Sequence, residues 1–199
     1  MTTHSAPFRV RPYQPSDERD WVRCRALAFL DTQYYDAVKP HRVVLAEPSI
    51  SLVAVTPAGD LVGILDIEIA GDAATIDTIA THPDHRAQGI ASALLHVALT
   101  ELQQTDATSL DAWTREDVAA NGWYRRNGFV EQYRYLHVYL TDGEDDTGFA
   151  TPERLSMPVS AFVHGRIEDE AELRTRYRRV YRCTQYVRPV RRTARDLSE

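Results

Sequence analysis

At 199 residues, with 43% apolar and 26% charged side chains, the chain has the composition of a globular protein large enough for one domain with an appendage. Its net charge of −6 argues against nucleic acid as a partner, and no apolar run approaches membrane-spanning length, so no membrane is expected either. The start, MTTHSAPFRVRP, lacks the apolar centre of a signal peptide, and Cys24 and Cys183 are too isolated for a disulfide framework or a zinc site. A cytoplasmic protein with reduced thiols and no metal is the expectation.

In chain order, residues 8–11 read as a strand stopped by Pro12. A helix follows, capped by Ser16, with Trp21, Cys24, Leu27 and Ala28 on its apolar face and its pattern persisting to about Tyr35. Residues 49–56 and 61–70 are strands around a Pro57–Asp60 turn, and Gly71-Asp72 marks a hairpin into a strand over 74–81. A tight turn there places Asp66 opposite Asp77 and Glu68 opposite Thr75, so the three carboxylates share one face.

The strand over 74–81 is rich in β-branched residues and is broken by His82-Pro83-Asp84. From Gly89 the period changes, and Ile90, Leu94, Val97 and Ala98 fall on one helical face. The loop between, Arg86-Ala87-Gln88-Gly89-Ile90-Ala91, points free backbone N–H groups at the positive end of a helix dipole. That is a site for phosphate or pyrophosphate. Gly89 lets the backbone approach the anion, Ala91 keeps the first turn slim, and Arg86 adds a positive charge.

Residues 109–113 read as a short strand. Thr114–Asp117 caps a helix carrying Ala120, Trp123 and Tyr124, which ends at Asn127-Gly128. Residues 129–140 are a strand, and 143–158 an acidic, proline-containing linker. In the remainder, 159–199, Ala161-Phe162-Val163 reads as a strand and 168–181 as a helix, with Leu173, Tyr177 and Val180 at helical spacing. Arg188, Arg191, Arg192 and Arg195 close the chain as a basic run. The large apolar groups of this segment predict docking, on its own core or as the contact of a homodimer.

Two motifs carry a resemblance to a family. Arg86-x-x-Gly89-x-Ala91 after a strand is similar to the acetyl-CoA-binding motif of the GCN5-related N-acetyltransferases (GNAT), Arg/Gln-x-x-Gly-x-Gly/Ala. Downstream, Ala120-x-x-x-Tyr124-x-x-x-Gly128-Phe129 resembles the family's Ala-x-x-x-Tyr-x-x-x-Gly-Phe element. The resemblance covers roughly the middle third of the chain. It implies an α/β fold with a central mixed, mostly antiparallel twisted sheet flanked by helices. The domain then spans 1–142, with 159–199 as a C-terminal extension.

The resemblance also implies roles. Acetyl-CoA is the cosubstrate, held at Arg86, Ala87, Gln88, Gly89, Ile90, Ala91 and Ser92, with the pantetheine amides on the backbone of Ile79, Ala80 and Thr81. Tyr124 is the candidate general acid at the coenzyme sulfur, Asp77, Glu68 and Asp66 are candidates for the base, acting directly or through water, and Tyr34, Tyr35, Asp36 and Asp66 for contacts to an amine acceptor. The chain departs from the family twice. Thr75 stands where the family's glutamate often sits, and Asp117 stands where an asparagine often contacts the pantetheine arm. The asparagine's role is carried onto neither Asp117 nor Asn121. A protein N-terminal acetyltransferase and a non-catalytic acyl-CoA-binding regulatory module are the alternatives.

Overall fold

The computed structural model describes residues 7–190. Its fold is mixed α/β, with eight mostly antiparallel strands flanked by helices, as the sequence implies. The chain divides into two compact units. The first takes in residues 7–112, 127–129 and 187–190, the second 113–126 and 130–186.

In the first unit, β1 (Arg9–Pro12), β2 (Ser49–Val55), β3 (Leu61–Ala70) and β4 (Ala73–Thr81) form an antiparallel run in chain order. The start of β5 (Ser109–Arg115) then pairs with β4 in parallel. Helix α1 (Glu18–Leu30) lays Trp21, Cys24 and Ala28 against Val53, Val55, Ile64 and Ala80. On the other face α2 (Ile90–Leu102) presses so close to β3 that a Cβ on Gly63 would collide with Ile90 and reach Leu94 Cδ1 at 3.1 Å. Glycine suits the position because the Ile90 and Leu94 side chains of α2 pack directly on the strand at this point.

The second unit holds the end of β5, α3 (Val118–Arg126), β6 (Val130–Leu140), β7 (Ala161–Gly165), α4 (Glu170–Arg176) and most of β8 (Arg179–Pro189). β6 pairs antiparallel with β7 and has β8 as its other neighbour. One face of β6 buries Leu136, Val138 and Leu140 with Tyr177 and Val180, under Leu173 of α4. On the alternate positions His137 accepts at Nδ1 from the buried Arg115 Nε, 3.1 Å away, and its Nε2 lies 2.9 Å from the Tyr135 hydroxyl. Burial first, then the charges of Arg115 and His164, push the His137 imidazole down to about 4.

The sign of that shift gives a pH dependence. Folding favours neutral His137, so the stability it supports is complete above its unfolded pKa near 6.5 and is lost as pH falls from there toward 4. Urea midpoints measured across that window should fall with acidity, and in His137→Phe that component of the fall should disappear.

Four expectations are corrected. The first helix ends at Leu30 rather than running to Tyr35, and Tyr34 and Tyr35 lie in turns closed by Tyr35 N–H donating to Thr32 O and Ala37 N–H to Tyr34 O. Ser16 does not cap it; the chain enters through a 3-10 turn over Pro15–Asp17, where Asp17 accepts from Gln14 N at 2.8 Å and pairs with Arg11 at 2.6 Å. β5 extends through Thr114 and Arg115, and α3 starts at Val118 behind Asp117, which accepts from Ala120 N at 2.7 Å. Residues 168–181 are not one helix: α4 stops at Arg176, and Val180 and Tyr181 belong to β8, whose β-branched and aromatic side chains suit a strand. Of the basic run, Arg188 lies in β8, where its Nη1 donates to Asn127 O at 2.6 Å. Arg191, Arg192 and Arg195 lie outside the described residues. Cys24 and Cys183 are both free and buried; burial pushes the Cys24 thiol up to about 12 and raises that of Cys183.

Candidate functional site

Where β4 ends, His82 N–H donates to Val62 O and a 3-10 turn over Pro83–His85 redirects the chain. Two left-handed residues follow, Ala87 at φ 61 and Gly89 at φ 79, before α2 begins at Ile90. Positive φ is uncommon for a residue with a side chain, so the backbone course here is a specified one. Gly89 is the N-cap of α2, and the first helical bond runs from Ala93 N to Gly89 O at 2.9 Å. The amides of Ile90 and Ala91 therefore precede that bond, at the positive end of the helix. A Cβ built on Gly89 meets no atom within 4 Å, so this turn is bare on its outer side.

The loop's side chains are arranged less simply. Ile90 is buried beneath it, whereas Gln88 and Ser92 are exposed. The Arg86 guanidinium turns to the end of α1, donating from Nη2 to Ala28 O at 3.0 Å and lying 3.8 Å from Asp31. On β4, the positions paired with β5 run from Ala73↔Ser109 to Ile76↔Ala112 among the described residues, and β4 continues beyond them through Ile79, Ala80 and Thr81. The Ala80 side chain packs in the core under α1.

The three carboxylates do not share one environment. Glu68 pairs with Thr75 as expected, but a bulge follows, and Asp66 is opposite Thr78 rather than Asp77. One extra residue in β4 shifts every later partner by one. Asp66 is 2% exposed and takes the guanidinium of Arg42 in a fork, with Nη2 at 2.8 Å and Nε at 3.1 Å. Arg42 also bonds the Ser51 hydroxyl, lies over the Tyr13 ring, and sends its backbone N–H to Glu18 at 2.8 Å. Asp77 accepts from the Thr78 hydroxyl at 2.8 Å and has Lys39 Nζ 3.4 Å away. Glu68 is exposed, and the Thr75 hydroxyl reaches Asp111 Oδ1 at 2.5 Å. Tyr34 stacks at a tilt 5.8 Å from Phe29, and Tyr35 is 46% exposed.

Arg42, Lys39 and Asp111 did not emerge as site residues from the sequence. Nothing local marks them, because their partners are set by the sheet. Breaking the buried Asp66–Arg42 pair leaves a carboxylate with no counter-charge. Arg42→Ala should cost about 3–5 kcal/mol by denaturant unfolding, and Asp66→Ala in the same chain should recover part of it.

In the second unit, Tyr124 is buried on α3, its ring stacked on Tyr186 at 5.2 Å and 12°. The Tyr186 hydroxyl donates to Asn121 Oδ1 at 2.8 Å, while Asn121 Nδ2 donates to the carbonyls of Arg115 and Asp117. Asn121 thus ties the start of α3 to β5 and β8, and Asp117 caps the helix.

Residues 44–131 match the family model described as the acetyltransferase (GNAT) domain. No curated protein matches the chain. Among solved structures, the fold is similar to that of the ribosomal-protein-S18-alanine N-acetyltransferase from Escherichia coli, at 16% identity over 96% of this chain and 99% of that one, with a TM-score of 0.59. It is similar as well to Ard1 from Thermoplasma volcanium, at 17% identity over 94% and 99% of the two chains, TM-score 0.57. PaiA N-acetyltransferase from Thermoplasma acidophilum, in complex with coenzyme A, matches at 12% identity over 63% of this chain and 91% of that one, TM-score 0.53.

The mixed sheet whose fourth strand runs through a glycine turn into a helix lies within the segment matched by the acetyltransferase domain model. Over residues 44–131 the chain is similar to the GNAT acetyltransferase domain, and its fold is similar to that of solved N-acetyltransferases. No described helix is long and apolar enough to cross a membrane.

Proposed function

We propose that this chain transfers an acetyl group from acetyl-CoA to a primary amine of a small molecule or peptide. The observation carrying the reading is the turn at Gly89: a left-handed, side-chain-free N-cap with helix amides behind it, open on its outer side. Those features fit a pyrophosphate that must approach backbone N–H groups closely. The amides of Gly89, Ile90 and Ala91 would hold it, with Ala87, Gln88 and Ser92 along the same turn. Arg86 contributes its backbone to the turn, its guanidinium being engaged at the end of α1. Ile79, Ala80 and Thr81 offer backbone groups for the pantetheine arm.

When bound, acetyl-CoA supplies an activated acetyl thioester. The chain's own part is to remove a proton from the incoming ammonium and return one to the leaving sulfur. Asp66 is unsuited to the first task because Arg42 occupies its oxygens. Asp77, at the bulge of β4, and the exposed Glu68 fill the base role, directly or through water. Tyr124 donates the second proton. Calorimetry with acetyl-CoA, together with thiol release on a panel of amines, tests the reading. No coenzyme binding would overturn it, and binding without transfer to any amine would favour a regulatory acyl-CoA module.

A further inference from the structure

We propose that Lys39 is an acetylation site of this chain, modified within the same molecule and with Asp77 as the base. The inference rests on the acetyl-transfer reading above. Lys39 is the only lysine in the sequence. Its Nζ lies 3.4 Å from Asp77 Oδ2, with the two side chains 31% and 30% exposed. A lysine on an unrestrained loop would sample many positions; this one is held on both sides. Ala37 O accepts from Arg25 Nη1 at 2.6 Å, and three residues later Pro40 restricts the backbone. Arg42 then pins the segment to Glu18 through its backbone and to Asp66 through its guanidinium.

The segment therefore delivers a primary amine to a carboxylate on β4, the strand that continues into Ile79, Ala80 and Thr81. An ammonium beside a carboxylate is also the arrangement an acceptor amine needs before it attacks a thioester. In the step, Asp77 takes one proton from the Nζ ammonium, and the freed lone pair forms the N–C bond to the acetyl carbon. The C–S bond breaks, its electron pair stays on sulfur, and the second nitrogen proton goes to that sulfur. The products are Nζ-acetyl-lysine and coenzyme A, with Asp77 giving its proton to water. The modification removes the positive charge from Lys39 and dissolves the ion pair, leaving Asp77 open to another amine. An ordinary surface ion pair would contribute little stability and undergo no chemistry.

The test incubates the full chain with acetyl-CoA and maps Lys39 by peptide mass spectrometry, with calorimetry of acetyl-CoA on the same protein. The proposal expects Lys39 to gain one acetyl group at a rate unchanged by diluting the protein. Excess coenzyme A should suppress the modification, and Asp77→Asn should slow it by about a hundredfold, the scale of losing a general base. Coenzyme competition needs no variant, so the test stands even if Asp77→Asn folds poorly. Acetyl-CoA binding with Lys39 unmodified would overturn this inference and leave the functional reading intact. So would acetylation indifferent to excess coenzyme A, which is spontaneous chemistry, or a rate that rises with protein concentration. Failure of acetyl-CoA to bind at all would overturn the functional reading, and this inference with it.

Discussion

Gly89→Val is expected to abolish acetyl-CoA binding while the protein still unfolds in a cooperative transition. The position sits at φ 79, where a β-branched residue is a backbone outlier, so some stability is lost, about 1–3 kcal/mol. That loss should not unfold the chain. A Cβ at this point meets no protein atom within 4 Å, and the helix behind it is anchored independently by buried Ile90, Leu94 and Leu95. The added methyl groups instead fill the space through which a pyrophosphate reaches the amides of α2. Calorimetry reports the binding loss and thermal unfolding reports the fold. Undiminished affinity in a folded Gly89→Val protein would remove the loop from the coenzyme site.

The second large effect is expected at Tyr124. Tyr124→Phe keeps the ring that stacks on Tyr186 and deletes only the hydroxyl. If that hydroxyl protonates the leaving sulfur, kcat should fall by roughly tenfold to ten-thousandfold with acetyl-CoA affinity little changed. The pattern separates catalysis from packing. A packing role would lower the unfolding midpoint and leave turnover on a good acceptor at the wild-type value, measured where chemistry limits the rate. A fall in kcat with an unchanged midpoint would place the hydroxyl at the reaction.

The most legible part of the sequence was the passage from β4 into α2. There the apolar period changes abruptly, proline and glycine mark the turn, and every local preference points the same way. Glu68 opposite Thr75 was also legible, since a tight turn at Gly71-Asp72 fixes the first few pairs of a hairpin. Asp77 was misplaced because a bulge adds a residue without altering composition or alternation enough to be seen. Leu173, Tyr177 and Val180 misled for a different reason. Their spacing imitates one helical face, yet they converge in a single cluster from α4, the turn after it and β8, packed on β6. Spacing records that residues share a destination, and here the chain changes element on the way. Arg42 was invisible for a third reason: it lies 24 residues from Asp66, and only the register of β2 and β3 brings Ser51 beside both.

The two sequestered cysteines carry a practical consequence. With Cys24 and Cys183 each 1% exposed and their thiols shifted up by burial, almost no thiolate is presented to a reagent in solution. A chromogenic disulfide added to the native protein should therefore stay colourless until coenzyme A is liberated. Turnover can then be followed continuously on the unaltered chain, without replacing either cysteine. A slow colour that develops with no acceptor present has two sources to separate: release of coenzyme A, and transient opening of the core around Trp21 and Cys24. Mild denaturant distinguishes them, because it should accelerate the second and diminish the first.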